Sequence, residues 1–280
     1  MKLLSSITFA VFAFCMAAAL AARAGQGEPE RARGGIVSIN LCTDQLLLML
    51  GDPAEIRSVS FLARDRSISA YWEEAQNHDV NHGLIEQILP MEPDLVLAGR
   101  YTSRYTVALL EEQGKNVLVL DPARSLEDMI ANIQKVADAI GRPLRGRQII
   151  EAILERPKPD SLDRRVILYG ASGTTAGPPS LGDTAIAEAG LKNVADELGI
   201  GSWGYLSVEG LLRSDPDLIV FQRSGKAMPA MATQLLHHPA LTASRLPALR
   251  MDLTRSELIC ATPRLFETSR AIRKRIEREE

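Results

Sequence analysis

Apolar positions along the chain alternate between two rhythms. Ile36-Val37-Ser38-Ile39, Leu95-Val96-Leu97-Ala98, Val117–Leu120, Val166–Tyr169 and Leu218–Phe221 are short, β-branched and too uniformly apolar for strands with one wet face. Such runs predict strands buried on both sides, as in a parallel sheet. Between them, apolar residues return at helical spacing. Leu126, Met129, Ile130, Ile133, Val136, Ala137 and Ile140 trace one helix, which Ser125 opens and Gly141 ends. Pro143 opens a second helix through Ile149, Ile150, Ile153 and Leu154 to Arg156, and Pro157 must stop it. Thr43 is expected to cap a helix over 44–50, and a helix is expected around 231–236. A last amphipathic helix starts at Arg264. This β–α alternation predicts an α/β fold with mainly parallel central sheets.

One stretch is written twice. Ile85-Glu86-Gln87-Ile88-Leu89-Pro90-Met91-Glu92-Pro93-Asp94-Leu95 returns, 123 positions on, as Val208-Glu209-Gly210-Leu211-Leu212-Arg213-Ser214-Asp215-Pro216-Asp217-Leu218. Each copy predicts a short helix with Glu in its first turn, then a Pro-Asp turn, then a buried strand. Two lobes of similar plan follow.

Charge and composition narrow the class. Lys2, an apolar run from Leu3 to Leu20 and Ala22-Arg23-Ala24 have the make-up of a cleavable secretory signal over residues 1–24. The 256 residues after it carry 30 basic and 35 acidic side chains, a formal charge of −5. With no Lys/Arg block, nucleic acid is not an expected partner. The expected organisation is a lobe over 34–124, a helical connector over 125–164 and a second lobe over 165–280, exported to the periplasm. Cys42 and Cys260 are the cysteines left after cleavage. In an oxidising compartment a pair tends to bridge; the alternative is two small, partly buried thiols.

Several chemistries are set aside. Gly199-Ile200-Gly201-Ser202-Trp203-Gly204 matches a dinucleotide fingerprint in letters but follows a helix rather than a strand. Gly170-Ala171-Ser172-Gly173-Thr174 lacks the second glycine of a nucleophile elbow. His78 and His82 lie far along the chain from His237 and His238, so no protein metal site is expected. No catalytic residue is assigned, and a periplasmic hydrolase is the reading kept from another class.

The order of Ser38-Ile39-Asn40-Leu41-Cys42-Thr43-Asp44-Gln45-Leu46, the two Glu/Pro-Asp segments, Ala189–Val194 and Thr262-Pro263-Arg264 resembles periplasmic substrate-binding proteins of ABC importers for iron chelates and cobalamin. The resemblance runs from about Ile36 to Ile276. It implies two Rossmann-like lobes joined by a connecting α-helix, ligand held between them, and a monomer that serves a membrane permease with its ATPase. It also implies that Glu86 and Glu209 dock onto permease arginines. No cofactor is expected. The ligand expected first is a ferric siderophore-type chelate, with cobalamin or haem as alternatives. In this chain Pro157 and Pro159 shorten the connector, so either the lobes sit closer or an irregular piece completes the crossing.

In open parallel sheets, ligands gather beyond the carboxyl ends of the strands. That rule nominates Cys42, Arg64, Arg100, Tyr101, Ser172, Arg223 and Glu257 as ligand-binding residues, and Trp203 and Tyr205, just ahead of the second Glu-bearing helix, are expected to face the same cleft. The aromatics suit a macrocycle or catecholate, and the guanidinium groups suit anionic substituents. A Cys42–Cys260 bridge would staple the two lobes.

Overall fold

The structure, a computed structural model, describes residues 34–223, 236, 238–243, 249–254 and 256–278. The expected signal, and the expected helix at 231–236 apart from Leu236, lie outside the described residues.

The first half is one parallel sheet. Strands β1 (Ile36–Ser38), β2 (Ile56–Ser60), β3 (Val80–Asn81), β4 (Leu95–Gly99) and β5 (Val117–Leu120) stand in the order β3-β2-β1-β4-β5. Helices α1 (Leu41–Leu50), α2 (Ile85–Ile88) and α3 (Arg104–Glu112) connect them. Alternate strand residues feed two cores. Ile36, Leu95 and Leu97 join Leu46, Leu47 and Leu50 of α1 on one face. Val37, Val96 and Ala98 join Ile88 and Leu110 on the other. Burial on both faces is what the uniformly apolar runs require.

Helix α1 begins three residues before the expected start, because Asn40 caps it instead of Thr43. The Cys42 amide donates to Asn40 Oδ1 at 3.0 Å. Thr43, already inside the helix, turns its hydroxyl back to the Asn40 carbonyl at 2.9 Å.

Helices α4 (Leu126–Ala139) and α5 (Pro143–Leu154) follow. They pack on each other closely enough that a Cβ on Gly146 would stand 2.5 Å from the Ala137 Cβ. Met129, Ile133, Val136 and Ile153 belong to the same buried cluster as α1, so the pair is an attachment of the first half. Helix α5 ends at Leu154, two residues short of expectation, and residues 155–164 cross to the second half without regular structure. The expected crossing by a helix is therefore replaced by the irregular piece. Arg156 holds its start: it donates to the Ile153 carbonyl at 2.8 Å, pairs with Glu188 and lies 3.5 Å over the Phe266 ring.

The second half carries a parallel sheet in the order β11-β10-β6-β8, from β6 (Arg165–Tyr169), β8 (Lys192–Asn193), β10 (Leu218–Arg223) and β11 (Leu249–Thr254). Strands β7 (Thr174–Thr175) and β9 (Gly204–Tyr205) form a separate antiparallel pair. Helices α6 (Leu181–Glu188), α7 (Val194–Glu197), α8 (Val208–Ser214), α9 (Pro239–Ala243), α10 (Ser256–Ile259) and α11 (Leu265–Glu277) complete the described fold. Leu181 and Ala185 of α6 and Leu265 and Phe266 of α11 enter the first half's core, so the halves share buried apolar surface.

The written repeat is also a structural one. Glu92 and Asp215, 123 positions apart, both close their short helices in left-handed backbone, at φ 48° and 46°. That conformation is uncommon for side chains other than glycine and turns the chain sharply into the following strand.

Candidate functional site

In a sheet ordered β3-β2-β1-β4-β5, successive connections leave β1 in opposite directions, which opens a crevice beyond the ends of β1 and β4. A cavity of about 220 Å³ lies there, with Asn40, Cys42 and Thr43 on one side and Gly99, Arg100, Tyr101 and Asp121 on the other. Gly99 permits the approach: a Cβ on it would stand 2.8 Å from the Asn40 amide group. The second sheet has its own switch between β6 and β10. A cavity of about 290 Å³ opens beyond them, lined by Thr174, Thr175, Ser180, Trp203, Gln222 and Arg124 among others. Ala123 and Ile259 line both cavities, so the two form one cleft between the sheets.

Two of the aromatic side chains nominated from sequence, Tyr101 and Trp203, line this cleft. Tyr101 follows β4 and is 78% exposed. Trp203 precedes β9 and Tyr205 ends it, 61% and 62% exposed, with ring centroids 4.5 Å apart in an edge-to-face arrangement; Tyr205 itself lines neither cavity. Each aromatic thus presents most of its surface to solvent, although such side chains bury well and lobe packing could have absorbed them.

The charged residues are placed differently from expectation. Arg100 lines the cleft but is ion-paired with Asp121. Arg64 lines neither cavity. Its Nε donates to the Ala75 carbonyl at 3.3 Å and its Nη2 to the Gln76 carbonyl at 3.4 Å and to that of His78, which closes the loop after β2. A guanidinium with five donors serves the open carbonyls of a short 3₁₀ turn well, and here its Nε and Nη2 do so on an exposed side chain. Arg223 ends β10, and its side chain lies outside the described atoms. Ser172 sits in left-handed backbone at φ 57° in the turn after β6, and Glu257 in α10; neither is among the lining residues. Sequence reasoning passed over Asp121–Arg124, which follow β5 and obey the same strand-end rule. It also passed over Pro179–Gly182, whose approach depends on the course of a small-residue loop.

Beneath the first cavity is a buried polar layer. The Ser60 amide donates to Asp44 at 3.0 Å and the Ser60 hydroxyl bonds its other oxygen. Burial pushes the Asp44 carboxyl up to about 7, against hydrogen bonds from Ser38 and Ser60 that favour the ionised form. Asn81 ties the same layer together, donating to the Ser38 carbonyl at 2.9 Å and to the Ser58 hydroxyl at 2.8 Å.

The structure joins Cys42 to Cys260 in a disulfide, with Cα atoms 5.1 Å apart. Glu86 and Glu209 occupy the first turns of α2 and α8, both exposed. Among the described residues, no group of three or more His, Cys, Asp or Glu could hold a metal ion. Among the described residues, no histidine lines either cavity.

Two α/β halves, each with a parallel sheet and its switch point turned to a shared cleft, define a two-lobed solute-binding protein. The chain belongs to the periplasmic binding protein family, whose model matches residues 36–252. Members of this family are solute-binding proteins of the periplasm that work with an ABC permease and ATPase. The cobalamin-binding protein of Halobacterium salinarum is 28% identical over 224 residues, covering 75% of this chain; the chain spans 58% of that relative's length. Among solved structures, the apo periplasmic heme-binding protein RhuT from Roseiflexus sp. RS-1 aligns with a TM-score of 0.67 at 22% identity, over 88% of this chain and 100% of that one. The periplasmic vitamin B12 binding protein BtuF of Vibrio cholerae aligns with a TM-score of 0.60 at 16% identity, over 86% and 96%. At these identities the two structures speak for the fold.

Proposed function

We propose that this chain captures a corrinoid in the periplasm and delivers it to its permease through Glu86 and Glu209. The observation that carries the ligand class is the cleft's combination of exposed aromatic faces and neutralised charge. Tyr101 and Trp203 offer flat apolar surface in its lining, and Tyr205 packs edge-to-face with Trp203. Arg100 is matched by Asp121 and Arg64 is committed to backbone, leaving Arg124 as the guanidinium lining the cleft without a carboxylate partner among the described residues. A ferric catecholate with several negative charges needs unpaired cations once it leaves water. A macrocycle whose substituents are mostly neutral amides needs stacking surface and hydrogen-bonding groups such as Asn40, Thr174 and Gln222. The similarity to a cobalamin-binding protein supports the same choice. These arguments move the ligand from the siderophore class expected first to the cobalamin class expected second.

Haem is the second reading, favoured by the Tyr101 phenol, which stands 78% exposed at the cleft and is a residue type that can ligate haem iron. A thermal-shift panel of cyanocobalamin, hemin and a ferric catecholate separates the three. A ligand at 100 times its Kd adds about 2.7 kcal/mol to the native state, which for a chain of this size raises Tm by roughly 5–10 °C. The corrinoid reading expects that shift with cyanocobalamin alone.

A further inference from the structure

We infer that the Cys42–Cys260 disulfide is a positioning element of the solute cleft, holding the wall that its two cavities share. Cys42 lies in the first turn of α1 and itself lines the first cavity. Cys260 directly follows α10, whose last residues, Leu258 and Ile259, line the second cavity; Ile259 lines both. The bond therefore ties the wall residue of the second half to the cap region of the first, across 218 positions of sequence.

Packing holds that wall together with the bond: Leu258 lies against the cores of both halves, Ala261 belongs to the first half's core and Thr262 is buried. Helix α10 has four residues, far below the length at which a helix persists by itself. Beyond Cys260, Ala261 and Thr262 are buried, and Arg264 donates to the Ala70 carbonyl, pairs with Glu74 and lies 4.1 Å over the Tyr71 ring. Ile259 itself is only half-buried, so packing alone leaves it room to move. Cys260 is buried and its bond removes that freedom at the position next to Ile259. Without it, only a fraction of molecules would hold Ile259 in the cleft wall, and apparent affinity falls in proportion to that fraction.

The affinity part of this inference rests on the corrinoid reading; the local-order part does not. Hydrogen exchange of the ligand-free protein is compared before and after reduction with dithiothreitol. The reductant gives up two electrons and two protons and closes to its own disulfide, while Cys42 and Cys260 take them up as two thiols. Amides of 258–263 and of the first turn of α1 are expected to exchange about ten-fold faster or more, with β10 and α8 unchanged. Unchanged exchange at 258–263, or uniform acceleration throughout, overturns the inference. Cyanocobalamin titrations of the oxidised protein, the reduced protein and the Cys42→Ser/Cys260→Ser variant are run where circular dichroism shows each folded. Affinity is expected to fall about ten-fold on loss of the bond; equal affinities overturn the inference. Should the oxidised protein itself not bind cyanocobalamin, the corrinoid reading fails and the exchange comparison alone decides. If the double variant does not fold, the reduced wild-type protein supplies the same comparison.

Discussion

Asp94 and Asp217 stand 123 positions apart and make the same bond. Each Oδ2 accepts a backbone N–H at 2.7 Å, from Gly35 ahead of β1 and from Arg165 at the start of β6. Each residue's own amide donates back to the same partner's carbonyl, at 3.0 Å for Asp94 and 2.8 Å for Asp217. The Pro-Asp of the repeat is thus a clasp that sets a strand beside its neighbour in each sheet. Replacing Asp94 with Ala should cost about 1 kcal/mol, since that bond is exposed. Asp217 also faces Arg164 at 3.2 Å and is half-buried, so its loss should cost roughly 1.5–3 kcal/mol. Urea denaturation measures both, and solute affinity should not change.

Glu86 and Glu209 belong to the same repeat but point to solvent. A carboxylate in a helix's first turn contributes about 0.3–1 kcal/mol to its own helix, so the Glu86→Ala/Glu209→Ala variant should stay folded. It should bind solute as the wild type does and fail to support uptake in cells lacking the native protein. Normal uptake by the double variant would remove these residues from the docking surface.

Arg64 is expected to act on stability alone. Arg64→Ala leaves the carbonyls of Ala75, Gln76 and His78 without this donor, at roughly 0.5–1.5 kcal/mol because water can reach them, and should leave solute affinity within two-fold. A titration showing a ten-fold loss would return Arg64 to the ligand site.

Asp44 gives the fold a pH dependence. Its folded pKa, about 7, lies above its unfolded value, so the native state binds the extra proton. That contribution is fully present below about pH 4 and is lost as pH rises through 7, at up to about 1.4 kcal/mol per pH unit between. Asp44→Asn keeps the neutral shape and lacks the penalty. Relative to wild type it should gain stability at pH 8 and gain none at pH 4, measured by urea midpoints at both.

Much of this was legible before any coordinates. Buried parallel strands write themselves as unbroken apolar runs, so β1, β4, β6 and β10 were readable, and the repeat announced two halves; β5 is written the same way but is an edge strand, with Val119 42% exposed. The strand-end rule found Cys42, Arg100 and Tyr101 because it depends only on topology. It could not tell that Arg64 would be consumed by three carbonyls, since a guanidinium's partners are set by loop geometry that spacing does not encode. Nor could it choose Asn40 over Thr43 as a cap, because both side chains can accept the bond and only the turn after β1 decides. The connector shows the opposite case: Pro157 marked where α5 must stop, but the packing of α5 onto α4 depends on Gly146 meeting Ala137, a contact invisible in either helix alone.

The central claim is that the aromatic-rimmed cleft holds a corrinoid. Calorimetric titration of the oxidised protein with cyanocobalamin tests it most directly, with Trp203→Ala beside it. The account predicts one ligand per chain with Kd below about 1 µM, or roughly −8 kcal/mol, and a ten-fold or greater loss for Trp203→Ala, whose exposed ring can be removed without unfolding the protein. No binding of cyanocobalamin alongside tight binding of hemin or a ferric catecholate would contradict it, as would identical affinities for wild type and Trp203→Ala.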